Sequence, residues 1–478
     1  MSSNELLSGD VVLLLETDAR FETPVREALA EIDPKLNLLV LPKIEDVEQA
    51  LRKESPKLAP EAVIKCLVLP AEASSKPETL KTNLPGVSLP AILVTCFEHS
   101  EKLVNDWAGS GVFNLLPKPY DPLLLKQHLR IALKPSEPPK DFATHNLKTS
   151  ARIEMLKEIP MEAVSEVGIV TRSDREVPLG RVTKLYGKIF EWKERVSVYA
   201  RAFDQRPHPT KENEKSVYMT WFGVAREQML QIRSRFPKEQ TPLSWRPTAV
   251  ASPKVSFLIV GDPSAPGTEL AGTLTRNFSN AEVLSLMDIP GPTVPLPQPL
   301  DAVLFHRSLT EAVLKDVRFK DIPKILIATS VPIDEELRAD ANIGMDLVTL
   351  PTERVSFFKK FSLLFPKLKT DSDLTIQSFK WSEALHVGQP IDITELSESG
   401  LTMKYERPLA AGSIRRFVLW QPVEAGIPLL TARCYLSRKD PSGQDLNYFV
   451  FFGMSDTEIK HIRVWMRDHF IQDKAKSQ

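Results

Sequence analysis

The sequence repeats several landmark residues at a nearly constant distance, and this regularity constrains the fold more than any other feature. The matched residues, 232, 232 and 230 positions apart, are Pro119 and Pro351, Ser165 and Ser397, and Gly223 and Gly453. A period this long exceeds the roughly 20–50 residues of a solenoid repeat. Since 478 residues suit about three to five domains of ordinary size, we predict a pair of domains that occurs twice.

Composition excludes several classes of function. The 61 basic and 62 acidic residues give a net charge of −1, so the chain lacks the basic excess with which nucleic-acid-binding proteins attract phosphate. Cys66, Cys96 and Cys434 lie far apart in apolar runs, which favours neither a disulfide framework nor a zinc site. The first apolar run is too short for a targeting or spanning segment. We expect a cytoplasmic protein without metal, cofactor, nucleic-acid partner or membrane insertion.

Residues 8–135 alternate short apolar runs with amphipathic stretches, which is typical of a parallel sheet with helices on both faces. The runs are 11–15, 38–41, 62–69, 91–94 and 111–116. The last run leads into Leu115-Leu-Pro-Lys118-Pro119-Tyr120-Asp121-Pro122 and a helical stretch. This segment resembles the final strand, Lys-Pro pair and last helix of response-regulator receiver domains.

The resemblance implies a phosphotransfer site, and the sequence lacks parts of it. In receiver domains two acidic residues hold magnesium, an aspartate takes the phosphoryl group, and a hydroxyl and a lysine assist. Glu16 keeps one acid, whereas Thr17 stands at the second acidic position and Pro70 at the phosphoacceptor position. Thr95 and Lys118 match the hydroxyl and the lysine. They are either relics of a switch or a strand-end hydroxyl and a solvated lysine, and we adopt the second interpretation.

Residues 143–237 change to short alternating strands with intervening turns, which predicts a small antiparallel barrel. The sequence Ala163-Val-Ser165-Glu-Val-Gly168 resembles the Asp/Asn-x-Ser-x-x-Gly turn of PilZ domains, with Ala163 at the acidic or amide position. A closing helix is predicted over 225–235. The proline-rich stretch 237–254 then marks the expected boundary between the two copies.

The second copy repeats the receiver outline over 254–367, with apolar runs at 255–260, 302–305, 324–328 and 346–350. Asp262 keeps one acid, Gly261 replaces the other, His306 stands at the phosphoacceptor position and Leu350 replaces the lysine. No other histidine or cysteine lies at metal-ligand spacing from His306. We therefore interpret His306 as structural rather than as a phosphohistidine or a metal ligand.

The last domain, 372–472, carries the clearer PilZ-like turn in Glu395-Leu-Ser397-Glu-Ser-Gly400. A helix is predicted over 456–470, capped by Ser455 or Asp456, with an apolar side that packs on the barrel. The predicted fold class is therefore α/β and β multidomain. Two receiver-like, flavodoxin-like α/β domains alternate with two small PilZ-like antiparallel β-barrels as an internal duplication.

Cyclic di-GMP binding by PilZ domains implies an Arg-x-x-x-Arg pair before the turn, because guanidinium groups bind phosphate and guanine edges bidentately. Residues 368–390 contain no arginine, and Lys148 and Arg152 give only a Lys-x-x-x-Arg before the first turn. Arg415 and Arg416 are the nearest basic pair, and an exposed strand pair is the alternative interpretation. Ser397 and Gly400 are likewise either ligand residues or a hairpin turn.

These features predict a non-catalytic signalling or scaffold protein that acts through protein–protein contacts. Its receiver-like domains keep an architecture whose phosphotransfer chemistry is lost, which leaves their surfaces for protein partners of unknown identity. The alternative is a cyclic di-GMP receptor that uses an atypical C-terminal PilZ-like domain. An enzyme is not expected, because no nucleophile, base or carboxylate arrangement has a distinctive spacing.

Overall fold

The computed structural model describes most of the chain and divides it into two units. The described residues are 6–72, 83–137, 153–190, 197–238, 243–245, 254–261, 267–291, 293–370, 375–381, 383–419 and 429–476. The first unit combines Met1–Leu156 with Gln389–Gln478, and the second is Lys157–Gly388. The division into four domains at 8–135, 143–237, 254–367 and 372–472 stays a prediction.

The first unit contains a five-stranded parallel sheet, here called the first sheet. Its strands, in order across the sheet, are Asn37–Leu41, Asp10–Leu15, Val63–Pro70, Ala91–Cys96 and Asn114–Pro117. Its helices are Ala19–Ile32, Ile44–Leu51, Glu101–Ala108 and Pro122–Leu133. The strand order 2-1-3-4-5 is that of flavodoxin-like sheets. The predicted parallel α/β arrangement is confirmed.

Burial on both faces explains why the strand Asp10–Leu15 of the first sheet is apolar from Val11 to Leu15. Val11 and Leu13 lie in one hydrophobic cluster, while Val12 and Leu14 lie in the cluster on the opposite face. All four side chains are at most 1% exposed. Successive residues of a strand point to opposite faces, so a strand covered on both sides needs apolar residues at every position.

The first unit also contains a six-stranded antiparallel barrel. Around the barrel, the strands are Leu385–Leu396, Gly400–Tyr405, Asp445–Phe451, Leu429–Lys439, Ile414–Leu419 and Ile153–Ile159. The last strand also pairs with the first, which closes the barrel. The helix Asp456–Lys476 packs Ile459, Ile462 and Met466 into the same core as the barrel residue Phe417, as predicted.

Ser455 caps that closing helix. Its Oγ accepts a hydrogen bond from the backbone N–H of Glu458 at 3.2 Å, and Glu458 Oε2 accepts from the backbone N–H of Ser455 at 2.6 Å. This reciprocal arrangement is a capping box, which satisfies backbone donors that have no partner within the helix.

The second unit contains another five-stranded parallel sheet, here called the second sheet. Its strands, in order, are Ala281–Leu286, Val255–Val260, Ala302–His306, Lys324–Ala328 and Asp346–Thr349. Its helices are Gly267–Asn277, Thr310–Lys315, Asp334–Ala341 and Arg354–Leu364, with short 3-10 turns at Arg307–Leu309 and Val317–Phe319. Four strands match predicted runs. The edge strand Ala281–Leu286 was not predicted.

The other part of the second unit is an antiparallel sheet. Its strands, in order, are Leu243–Trp245, Ile376–Lys380, Met161–Ser165, Gly168–Ser173, Lys215–Phe222, Ser197–Pro207, Val182–Tyr186 and the first residues of Leu385–Leu396. The 3-10 turn Lys188–Phe190 and the helix Arg226–Ser234 accompany it. Met229 and Ile232 of this helix lie in the same core as Trp221 of the sheet.

Candidate functional site

The carboxyl edge of the first sheet brings together four of the predicted site residues. Pro70 lies beside Thr95 in neighbouring parallel strands. Lys118 follows the strand Asn114–Pro117, and its Nζ donates a hydrogen bond to Glu16 Oε2 at 2.5 Å. The receiver-like positions predicted from four separate segments therefore meet at one edge.

Lys118 is not a solvated lysine, and that interpretation is wrong. Its side chain is 2% exposed and the Glu16 side chain 10% exposed. Its Nζ also lies 4.6 Å from the ring centroid of Phe21 and 5.0 Å from that of Phe97. The short carboxylate distance and the two aromatic faces stabilise the ammonium group away from water.

The electrostatics of Glu16 follow from this ion pair. Burial of the carboxylate raises its pKa, but the hydrogen bond from Lys118 and those from the backbone N–H groups of Asp18 and Thr17 together outweigh burial. The pKa of Glu16 therefore lies below its ordinary value. Glu16 remains ionised at neutral pH and holds Lys118 as its counter-ion.

The position predicted for a phosphoacceptor is occupied by a residue that cannot take a phosphoryl group. Pro70 carries no nucleophile, and Thr17 offers a hydroxyl where a second carboxylate would hold magnesium. Thr95 is 1% exposed, and its hydroxyl donates to the carbonyl oxygen of Leu69 at 3.5 Å. The other predicted site residues make internal contacts: Thr95 bonds to Leu69, and Lys118 pairs with Glu16.

In the second sheet, His306 caps a turn. Its Nδ1 accepts from the backbone N–H of Ser308 at 3.3 Å and lies 2.9 Å from the Ser308 hydroxyl. Leu350, at the lysine position, is 5% exposed and belongs to the hydrophobic core of the sheet. The predicted residue Asp262 lies outside the described residues. The interpretation of His306 as structural stays a prediction.

Ser397 holds the turn of the barrel between the strands Leu385–Leu396 and Gly400–Tyr405. Its Oγ accepts from the backbone N–H groups of Ser399 and Gly400 at 3.3 and 3.1 Å, and donates to the Gly400 carbonyl at 3.1 Å. A Cβ on Gly400 would stand 2.0 Å from the carbonyl oxygen of Phe449. Glycine is required there because the neighbouring strand passes too close for any side chain.

The corresponding turn of the second unit has the same geometry. Ser165 Oγ accepts from the N–H groups of Val167 and Gly168 at 3.3 and 3.1 Å. A Cβ on Gly168 would lie 1.8 Å from the carbonyl oxygen of Met219. In both turns the serine and the glycine shape the hairpin, which favours the hairpin interpretation.

The other candidate ligand residues do not form a converging pair. Glu395 Oε2 accepts from the Thr402 hydroxyl at 3.1 Å. Arg415 donates to the Ile414 carbonyl at 2.7 Å, and Arg416 to Asn105 Oδ1 at 2.8 Å. Arg415 and Arg416 are adjacent in one strand and half-buried, so their side chains leave opposite faces of the sheet. Lys148 and Arg152 lie outside the described residues.

Sequence reasoning missed two arginine-centred ion clusters. In the first unit, Arg463 lies 2.9 Å from Asp121 and 2.6 Å from Glu398. In the second, Arg233 lies 3.0 Å from Glu353 and 3.2 Å from Glu166. In each cluster, one acid follows the last strand of the parallel sheet and the other lies in the serine turn. The arginine lies in the helix that packs on the barrel or antiparallel sheet of the same unit. The constant distance in sequence was a signal that could have found them, since Asp121 and Glu353 are again 232 residues apart.

A second missed feature is a fully satisfied buried amide, Asn114. Its Nδ2 lies 2.5 Å from His128 Nδ1 and donates to the Phe451 carbonyl at 2.8 Å, while its Oδ1 accepts from Leu115 and Gly453 N–H at 2.8 and 3.1 Å. Burial lowers the pKa of His128 from 6.5 to about 4, so the imidazole is neutral and can accept.

The matching positions of the second unit hold a different pair, Asp346 and Lys360, with Nζ and Oδ2 2.7 Å apart. Burial raises the pKa of Asp346, although Lys360 opposes that shift. The same place in each unit is therefore held by a neutral amide–imidazole pair in one case and by an ion pair in the other.

The described residues contain no group of three or more potential ligands that could hold a metal ion. Cys66, Cys96 and Cys434 are buried free thiols. Among the helices in the described ranges, none has the length and apolar character needed to cross a bilayer.

Comparison with known proteins assigns no family. No protein-family model matches the sequence, and no curated protein matches it. Among solved structures, the chain is similar to the E. coli RcsC C-terminus containing a linker region and a phosphoreceiver domain, with 12% sequence identity. That match covers 76% of this chain and 95% of the other, with a TM-score of 0.17. We therefore base the proposed function on the residues themselves.

Proposed function

We propose that this chain is a non-catalytic signalling or scaffold protein, with two receiver-like and two PilZ-like domains that arose by duplication. The observation that carries the proposal is the pair formed by Lys118 and Glu16 beside Pro70. The lysine that would neutralise a phosphoryl group is bound to the acid that would help to hold magnesium, and no acceptor lies between them. This ion pair holds the carboxyl edge of the first sheet in one conformation without a phosphoryl group.

Protein contacts are the function that this arrangement supports best. Phe97 is 59% exposed at the same edge and packs edge-on against Phe21, with ring centroids 5.3 Å apart. An exposed aromatic residue on a rigid support is the kind of group that dominates protein interfaces. The partner contacts the protein at this edge, where a receiver domain would be phosphorylated.

Acetyl phosphate tests the first part of the proposal, that the parallel-sheet domains do not take a phosphoryl group. Incubation of the full chain with acetyl phosphate and Mg²⁺ should leave its intact mass and its thermal melt unchanged, because Pro70 and Thr17 provide neither acceptor nor second ligand. Intact-protein mass spectrometry is the measurement. An added phosphoryl group on either parallel-sheet domain would contradict the proposal.

Capture of a partner protein tests the second part of the proposal, that the chain acts through protein contacts. Phe97→Asp places a charge where we expect the contact and should abolish the recovery of a protein that wild type captures from lysate of the source cells. Val63→Asp is the matched control, since Val63 is 47% exposed at the start of the strand Val63–Pro70, at the opposite edge of the same sheet, and should leave capture unchanged. Equal loss in both variants, or in neither, would place the contact elsewhere.

The cyclic di-GMP alternative is tested by isothermal titration of the full chain. The internal hydrogen bonds of Ser397 and the opposite orientations of Arg415 and Arg416 favour no binding. Heat of binding at micromolar affinity that disappears in Arg415→Ala or Arg416→Ala would make the chain a nucleotide receptor instead.

A further inference from the structure

The barrel of the first unit is completed by a strand from the other half of the sequence. Residues 153–156, which lie in the N-terminal copy, pair with the strand Ile414–Leu419, placing Met155 beside Phe417 and Glu154 beside Val418. Ile153 and Met155 are 1% and 4% exposed and belong to the same core as Phe417.

The second unit shows the reciprocal arrangement. The start of the strand Leu385–Leu396, which lies in the C-terminal copy, pairs with Val182–Tyr186. Leu385 is 1% exposed within the core of the antiparallel sheet. A Cβ on Gly187 would stand 2.5 Å from Leu385 Cδ2, so the missing side chain at Gly187 makes the room that Leu385 fills.

The two pairings correspond residue by residue. The pairs of the second unit are His386 with Tyr186 and Val387 with Leu185, and those of the first are Glu154 with Val418 and Met155 with Phe417. Each residue has its counterpart 232 positions away in the other pairing. A slip by one residue in either pairing would break the correspondence and turn buried side chains to the opposite face.

We propose that the chain is the covalently joined form of a two-copy assembly, in which each copy donates the start of its first strand, residues 153–156 or 385–388, to the other. The interaction surface is the strand edge at Ile414–Leu419 in one copy and at Val182–Tyr186 in the other. The partner that fits each edge is the donated strand of a second copy. This inference rests on the duplication proposed above and concerns assembly, so it does not depend on the proposed signalling or scaffold role.

The physical reason is the cost of an open strand edge. An edge strand presents unpaired N–H and C=O groups that readily pair with another chain. Exchange of an identical element between copies satisfies both edges at low cost, since the contacts are those that each copy would otherwise make internally. Fusion makes the exchange permanent and independent of concentration.

Hydrogen exchange of the full chain, followed by mass spectrometry, tests the proposal with a matched pair of variants. Ile153→Ala lies in the N-terminal copy but should cause loss of amide protection in Ile414–Leu419. Leu385→Ala lies in the C-terminal copy but should cause that loss in Val182–Tyr186. Each strand should keep wild-type protection in the other variant, because opening of a local structural unit is reported by its own amides.

The opposite pattern would overturn the proposal. If each copy kept its own first strand, Ile153→Ala would loosen Val182–Tyr186 and Leu385→Ala would loosen Ile414–Leu419. Equal loosening of both strands by either variant would also contradict exchange. Should an alanine variant fail to fold, Ile153→Val and Leu385→Val remove less volume and are read in the same way.

Discussion

At the residue scale, the pairing of Lys118 with Glu16 shows where sequence reasoning succeeded and where it ended. The Lys-Pro segment and the first acid were identified from their neighbours in sequence, and the structure places both at the same edge. Their hydrogen bond spans 102 residues. Neither local pattern nor charge indicates that this lysine is buried, because the aromatic rings that cover it come from separate segments.

His128 gives a prediction about pH. Burial lowers its pKa from 6.5 to about 4, so the unfolded chain binds a proton more readily than the folded chain. The contribution of neutral His128 to stability is therefore complete above pH 6.5 and lost progressively as the pH falls towards 4. We expect that loss to be on the order of 2–3 kcal/mol.

The measurement is urea unfolding of wild type and His128→Gln between pH 7 and pH 4. Glutamine does not titrate and can still accept a hydrogen bond from Asn114, so the variant should lose less stability across this range. An identical pH dependence in the two proteins would show that His128 is not the group responsible.

At the element scale, strongly buried strands were predictable and a half-buried edge strand was not. The run 11–15 is apolar at every position, and the run 255–260 at every position except Ser256, because both faces of each strand are covered. In Ala281–Leu286 two of the six residues are exposed and the other four only half-buried. Such a strand carries no continuous apolar run, and its pairing with Val255–Val260 decides its structure.

The turn glycine gives a prediction about the barrel. Gly400→Ala would bring a Cβ to 2.0 Å from the Phe449 carbonyl oxygen, which forces two hydrogen-bonded strands apart. We expect a loss of about 1–3 kcal/mol or more from the stability of the first unit, measured as a lower midpoint of thermal unfolding.

Gly109→Ala is the control for this substitution. It lies in the same unit at the end of the helix Glu101–Ala108, with φ −77° and no heavy atom within 4 Å of an added Cβ. Its effect should stay within about 0.5 kcal/mol. Similar melting midpoints for the two variants would mean that the strands at Gly400 can separate without cost.

At the scale of the whole molecule, the constant distance between landmark residues was visible in the sequence, but the strand pairings between the two halves of the sequence were not. Met155 and Val387 lie in the strands Ile153–Ile159 and Leu385–Leu396, which were not predicted from the sequence. Apolar alternation fixes which face of a strand is buried, yet it does not specify which of two similar edges receives the strand. Only the register, with Met155 beside Phe417 and Val387 beside Leu185, answers that question.

Cleavage between the copies gives a prediction for the intact molecule. A recognition sequence for a site-specific protease, inserted within 239–253, allows the purified chain to be cut once. Each unit draws residues from both sides of the cut, so we expect the two fragments to elute together in size-exclusion chromatography at micromolar concentration. They should separate only after unfolding in denaturant.

Two separate peaks in native buffer would contradict this expectation. The cut chain carrying Ile153→Ala and Leu385→Ala is the informative comparison, because both variants weaken the donated strands without touching the cleavage site. Its fragments should separate at a lower denaturant concentration than those of the cut wild type.

The exchanged strand also determines when this protein can fold during its synthesis. Tyr186 pairs with His386, so the edge at Tyr186 leaves the ribosome 200 residues before its partner. At roughly 5–20 residues per second this interval is about 10–40 s. Throughout it, the nascent chain carries an open strand edge that a neighbouring nascent chain on the same messenger could fill, so the spacing of ribosomes bears on whether each molecule completes its own antiparallel sheet.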